Sequence, residues 1–214
     1  MRDLEMAFLG KIAASMTHEI KNTFAIILES SGLLSDIITL SQEGSFPHKE
    51  KFQRVLGNIN QQINRGVDIT TRLNQFAHSM DEPLAKVNVP ALLEQVILLM
   101  RRLAKRRGIE LKAVSEGDLS LMSDPFRLLL VLGSVIDRLA DSLESGGEIV
   151  LRSQEAPPGA AIFLDIQGTK KPGWEEAMAN LFSSLEGVLK ALQAKPAISS
   201  PPAGEGVVLT ISTA

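Results

Sequence analysis

The chain has no cysteine and no tyrosine. The first absence excludes disulfides and thiolate metal sites. Aromatic residues make up only 4% of the 214, with a single tryptophan, so a core must be built mainly from Leu, Ile, Val, Ala and Met. The three histidines, His18, His48 and His78, lack metal-ligand spacing. A basic excess is also missing: the net charge of −3 gives no general attraction to nucleic acid or to an anionic membrane. The longest strongly apolar stretch, Leu128 to Ile136, is far too short to cross a bilayer. Met1-Arg2-Asp3-Leu4-Glu5 does not read as a signal peptide, and a soluble cytoplasmic protein is expected. What the chain does have is 44% apolar residues, enough for one large domain or two small ones.

Residues 3–41 follow a helical period, with Leu9, Ile12, Met16, Ile20, Phe24, Ile27, Leu34 and Ile38 at spacings near three and four. The turn-rich run Ser41 to Pro47 breaks it. A second helical pattern runs from Phe52 to Phe76 and ends at Asp81-Glu82-Pro83. This predicts an antiparallel hairpin of two long helices over 1–82. Its apolar stripes have little to pack on, so a four-helix bundle formed by two chains is expected. The alternative is a monomer whose hairpin packs on the C-terminal half.

Residues 83–214 change to mixed α/β. Strands are predicted at 86–89, 109–114, 119–122, 148–153, 160–167 and 207–212. Helices are predicted at 90–107, 126–143 and 174–194, with a Pro/Ser/Ala/Gly loop over 196–206. The expected class is α+β, with one sheet covered by helices on one face.

His18 lies in Ser15-Met16-Thr17-His18-Glu19-Ile20-Lys21-Asn22. On a helix it shares a face with Lys11, Ala14, Ser15, Lys21, Asn22, Ala25 and Glu29, none of them a large apolar residue. Met16 and Ile20 belong to the buried stripe, so His18 should project into solvent. Glu19 is placed to hydrogen-bond the imidazole and raise its nucleophilicity. Asn22, one turn on, is placed to orient a water or a phosphoryl oxygen. The alternative is an ordinary surface histidine.

This run closely resembles the H-box of bacterial sensor histidine kinases, and the hairpin resembles their dimerisation and histidine-phosphotransfer domain. The later elements resemble, in their order, the ATP-binding domain of that family. Leu119 to Leu128, containing Asp124-Pro125, looks like the entry to its N-box helix. The departures are as informative. The resemblance places two N-box asparagines, one of them the Mg²⁺ ligand, at Ser134 and Arg138. A guanidinium there removes an oxygen ligand and repels the cation. The family's Asp-x-Gly-x-Gly segment falls at Leu164 to Lys171, where Asp165 is out of register and Gly168 stands alone. No second glycine-rich box lies between Trp174 and Pro196, and Gly204 to Ile211 looks like the closing strand only.

The resemblance therefore implies a histidine phosphotransfer protein with a degenerate ATP-binding domain. It would move phosphoryl groups between receiver-domain aspartates through His18, assisted by Glu19 and Asn22. It implies no cofactor on this chain, Mg²⁺ on the partner receiver, response-regulator receivers as partners and a homodimer. A phosphatase using Glu19 and Asn22, a non-catalytic dimeric scaffold and an atypical but active kinase stay open. The basic run Arg101-Arg102-Leu103-Ala104-Lys105-Arg106-Arg107 suits a helix C-terminus or an acidic partner. Nucleic acid is disfavoured by the acidic chain and the lack of interleaved aromatics. His48 and His78 read as surface residues, Trp174 and Phe182 as core anchors.

Overall fold

The computed structural model describes residues 2–40, 49–79, 83–114, 117–199 and 205–212. Two long helices come first, α1 (Arg2–Leu40) and α2 (Lys49–His78). There follow β1 (Ala85–Asn88), α3 (Val89–Arg106), β2 (Glu110–Val114), β3 (Ser120–Ser123) and α4 (Pro125–Ser142). The chain continues through β4 (Glu148–Ala156), β5 (Gly159–Gln167), α5 (Trp174–Ser184), α6 (Glu186–Ala191), β6 (Ala194–Ser199) and β7 (Gly206–Ser212). The predicted turn at 41–47 and His48 lie outside the described residues, as does part of the 196–206 loop.

The chain divides into two packing units. One comprises residues up to Ile12 together with those from Phe76 onward; the other runs from Ala13 to Gln75. The pattern of the sequence suggested a division at 82/83. Packing instead assigns the first turns of α1 to the C-terminal unit. Phe8 and Ile12 are buried there. The Phe8 ring meets Phe76 edge-on at 5.9 Å, and Phe76 lies 6.1 Å from Phe126. Lys11 pairs with Asp137 of α4.

Helix starts in this unit are set by side chains. Asn88 accepts from the Ala91 N–H at 2.8 Å, and Asp124 accepts from Arg127 N–H at 2.9 Å. Each satisfies an amide that has no partner within its helix, and Pro90 and Pro125 occupy the first turns, where no N–H is needed. In α4 five consecutive residues, Leu128, Leu129, Leu130, Val131 and Leu132, are buried. A helical segment buried all round lies in the middle of a core, and each such side chain stabilises by about 1.5–3 kcal/mol.

The main sheet has five strands in the order β2-β4-β5-β7-β6. β2 and β4 are parallel; the other pairs are antiparallel. β1 and β3 form a separate antiparallel pair. Period-two alternation sends Leu111, Leu151, Leu164 and Leu209 inward, where they are buried. Lys112, Arg152, Phe163 and Asp165 take the opposite face, which is half-buried or exposed. The expected one-sided α+β sandwich is thus present.

Two expectations fail in the same segment. The helix predicted over 174–194 breaks at the buried Leu185 into α5 and α6. Residues 194–199, taken as the end of that helix and the start of a loop, form β6. Gln193, at φ 51, reverses the chain into it. Pro196 is tolerated because β6 is an edge strand.

Candidate functional site

Within the unit 13–75, α1 places His18, Asn22, Ala25 and Glu29 along one exposed strip, with Lys21 also exposed and Glu19 half-buried. The three- and four-residue spacings of a helix produce this strip. Met16 and Thr23 turn away and are buried at 5% and 1% exposure. The imidazole of His18 makes no hydrogen bond or ion pair among the described residues, so the expected bond to Glu19 is not formed here. Ser15, expected on the His18 face, is buried at 8% instead: three residues earlier, it has already rotated toward the helix pair.

Thr23 fixes the neighbouring turn. Its hydroxyl donates to the Glu19 carbonyl at 3.0 Å, and its methyl faces Gly66 of α2 at 3.5 Å from where a Cβ would stand. A Cβ at 66 would stand in ordinary van der Waals contact with that methyl, so the two helices are close here without glycine being required. A cavity of about 370 Å³ opens beside this contact, lined by Ile20, Phe24 and Ile27 of α1 and by Ile63 and Val67 of α2. Phe24, Ile63 and Val67 are 61%, 48% and 59% exposed, and Ile38 is 58% exposed. Phe24 and Ile38 were expected inside; a single partner helix is too narrow to cover the whole stripe.

In the C-terminal unit, Ser134 and Arg138 lie one turn apart on α4, the first half-buried and the second exposed. Between them Asp137 is paired with Lys11 and, at 3.1 Å, with Arg107. The Arg138 guanidinium has no ion pair among the described residues. A cavity of about 220 Å³ is lined by Phe8, Lys11, Ser134, Asp137, Arg138 and Leu181. The Phe8 ring stands so close that a Cβ on Gly133 would lie 2.6 Å from its Cε2.

Asp165 is on the other face of the sheet. It receives two bonds from Arg152, that from Nη2 at 3.2 Å, and Arg152 stacks on Phe163 at 4.6 Å. The hydrogen bond to Asp165 holds the Arg152 guanidinium further above its usual range. Ile166, next along β5, faces the helices and is buried. Of the predicted anchors, Trp174 is buried and Phe182 half-buried; His78 ends α2, exposed. The Phe8, Lys11 and Gly133 contacts were missed. Their one signal was a glycine interrupting the apolar run 128–136, which marks a close approach.

No protein-family model and no curated protein matches the chain in sequence. Solved structures of histidine kinases do match its fold. The nucleotide-free catalytic domain of histidine kinase ThkA aligns at 17% identity and a TM-score of 0.51, over 62% of this chain and 97% of that one. The Acinetobacter baumannii histidine kinase AdeS aligns at 13% identity and 0.50, over 92% and 98%. The chain is histidine-kinase-like in fold. Among the described residues, no helix is long and apolar enough to cross a membrane.

Proposed function

We propose that this chain is a histidine phosphotransfer protein of two-component signalling that does not phosphorylate itself from ATP. The observation that carries the reading is a single pairing of features. An H-box-like histidine stands exposed and unengaged on a helical hairpin, while the kinase-like fold has Ser134 and Arg138 where the N-box asparagines, one of them the metal ligand, are expected and Asp165 out of register with the adenine-binding position. A free guanidinium at 138 opposes a cation, and Asp165, bound to Arg152 on the other face of the sheet, offers adenine no carboxylate. These residues do not fit ATP and Mg²⁺.

In the proposed reaction a receiver domain bearing an aspartyl phosphate docks over the exposed strip. An imidazole nitrogen of His18 attacks phosphorus in line. The new N–P bond forms as the acyl O–P bond breaks, and the receiver aspartate leaves as its carboxylate. The positive charge gained by the imidazole is met by Glu19 after a rotamer change, and Asn22 contacts a phosphoryl oxygen. A second receiver aspartate reverses these steps. Such transfer rests on positioning, so the docking surface counts as much as the nucleophile. Mg²⁺ is expected on the partner receiver.

The exposed Phe24, Ile63 and Val67 support a homodimer, in which a second copy covers the groove and completes a four-helix bundle. The exposure of Asn22 one turn from His18 also favours a second reading, hydrolysis of a receiver phosphate with Glu19 and Asn22 holding the water. Incubation with radiolabelled phospho-receivers separates the readings. Acid-labile, base-stable label on the wild type, absent from His18→Gln, supports transfer. Loss of receiver label that persists in His18→Gln supports hydrolysis. No effect on any receiver leaves a scaffold, and micromolar ATP–Mg²⁺ binding by calorimetry would overturn the degenerate-domain reading.

A further inference from the structure

The basic run at the end of α3 is sorted by the fold into two groups. Arg107 turns back onto the unit, pairing with Asp137 and Asp141 of α4. Arg101, Lys105 and Arg106 are exposed, and none has an ion pair among the described residues. Arg101 and Lys105, one turn apart on the same helical face, overhang a cavity of about 520 Å³ whose other wall is Gly108, Ile109, Glu110 and Leu111. That wall leads into β2, the first strand in the sheet order.

The outer edge of β2 is open. The Glu110 N–H bonds to the Gly147 carbonyl next to β4, so in a parallel pair residues 110, 112 and 114 direct their backbone groups inward. Leu111 and Ala113 therefore present their N–H and C=O outward, and no strand pairs with them among the described residues. Edge strands are usually blunted by charge or proline. Here two unpaired cations of the neighbouring helix overlook the edge, while Glu110, the acidic residue of the cavity wall, alternates with the buried Leu111 and so directs its side chain to the opposite face of the strand.

We propose that this edge binds an extended acidic segment of a partner protein, added to the sheet as a sixth strand beside β2. Leu111 and Ala113 supply two donors and two acceptors to its backbone. Alternate side chains of the added strand face α3, where carboxylates meet Arg101 and Lys105. Acidic residues two apart, separated by small or apolar ones, are the complementary pattern. A second copy of this chain pairing through β2 would bring the same cations together, which disfavours that occupant. The proposal does not depend on the phosphotransfer reading, because its surface contains none of the residues that reading uses.

The test uses the full chain and a fluorescein-labelled peptide of about eight residues alternating Glu and Val, the length that augmenting strands require. Anisotropy should show saturable binding that weakens about tenfold in the Arg101→Glu, Lys105→Glu double variant and at higher salt. The amides of Leu111 and Ala113 should exchange more slowly in the complex. Ala113→Pro should abolish binding while leaving the fold intact, since it removes only an outward N–H. Equal binding of a Lys-Val peptide, no protection of the two amides, or unchanged affinity in Ala113→Pro would each overturn the proposal. So would preferential binding of the same residues to anionic vesicles.

Discussion

Substituting Gly133 by alanine gives a test whose sign depends on a partner more than a hundred residues away. In a helix interior Gly→Ala alone stabilises by about 1 kcal/mol. At this position the new methyl carbon would lie 2.6 and 2.8 Å from two carbons of the Phe8 ring and 3.5 Å from the Met100 sulfur. The ring is held edge-on by Phe76 and is buried, so it has little room to retreat. Such overpacking costs about 1–3 kcal/mol. The net expectation is a loss of up to ~2 kcal/mol in the wild-type background. In a Phe8→Ala background the obstacle is gone, and Gly133→Ala should become stabilising by about 1 kcal/mol. Equilibrium urea unfolding followed by Trp174 fluorescence reads the relevant unit, because that residue is the only tryptophan and is buried there. The double-mutant coupling should reach about 1–3 kcal/mol. Equal effects of Gly133→Ala in both backgrounds would refute the packing of the first turns of α1 against α4.

Asp124→Ala removes the acceptor for the Arg127 N–H and should cost about 1 kcal/mol by the same unfolding measurement. The hydrogen bond to Glu148 at 2.7 Å, helped by the charge of that carboxylate, holds the Lys112 ammonium above its ordinary value of 10.5. A raised folded-state pKa means the pair's contribution is whole below the unfolded value and fades as pH rises through the folded one. Lys112→Met should therefore flatten the alkaline decline of stability. If a second copy covers the hairpin groove, Val67→Lys should shift the sedimentation profile toward monomer, with the helical circular dichroism of α3 and α4 retained. Leu132→Ala, at a fully buried position, should cost about 2–5 kcal/mol.

What could be read from sequence followed from local rules. Asp124-Pro125 announces the start of α4 because both residues act on their own helix end. Alternation over 148–153 and 160–167 announces a hairpin because its two faces meet different surroundings. His18 on an exposed strip follows from helical geometry once residues 3–41 are taken as one helix. The failures are non-local. Ala194-Lys195-Pro196 has no strand character of its own and becomes β6 through pairing with β7. The exposure of Phe24 depends on what covers the hairpin. The contact of Phe8 with Gly133 joins positions that no local pattern relates. Asp165 shows both sides: its register could be read, but its partner Arg152 required the sheet.

Pro196 sits opposite Leu209 in β6. The bond from the Ser212 N–H to the Gln193 carbonyl fixes the alternation, so residue 196 is one whose missing N–H faces away from β7. The sheet thus has unlike ends: a proline cap at β6 and open amides at β2. An array that grows strand by strand needs two receptive borders. This sheet has one, so whatever adds to it forms a closed pair of fixed size, and stacking into an indefinite fibre through its edges is denied at the first step.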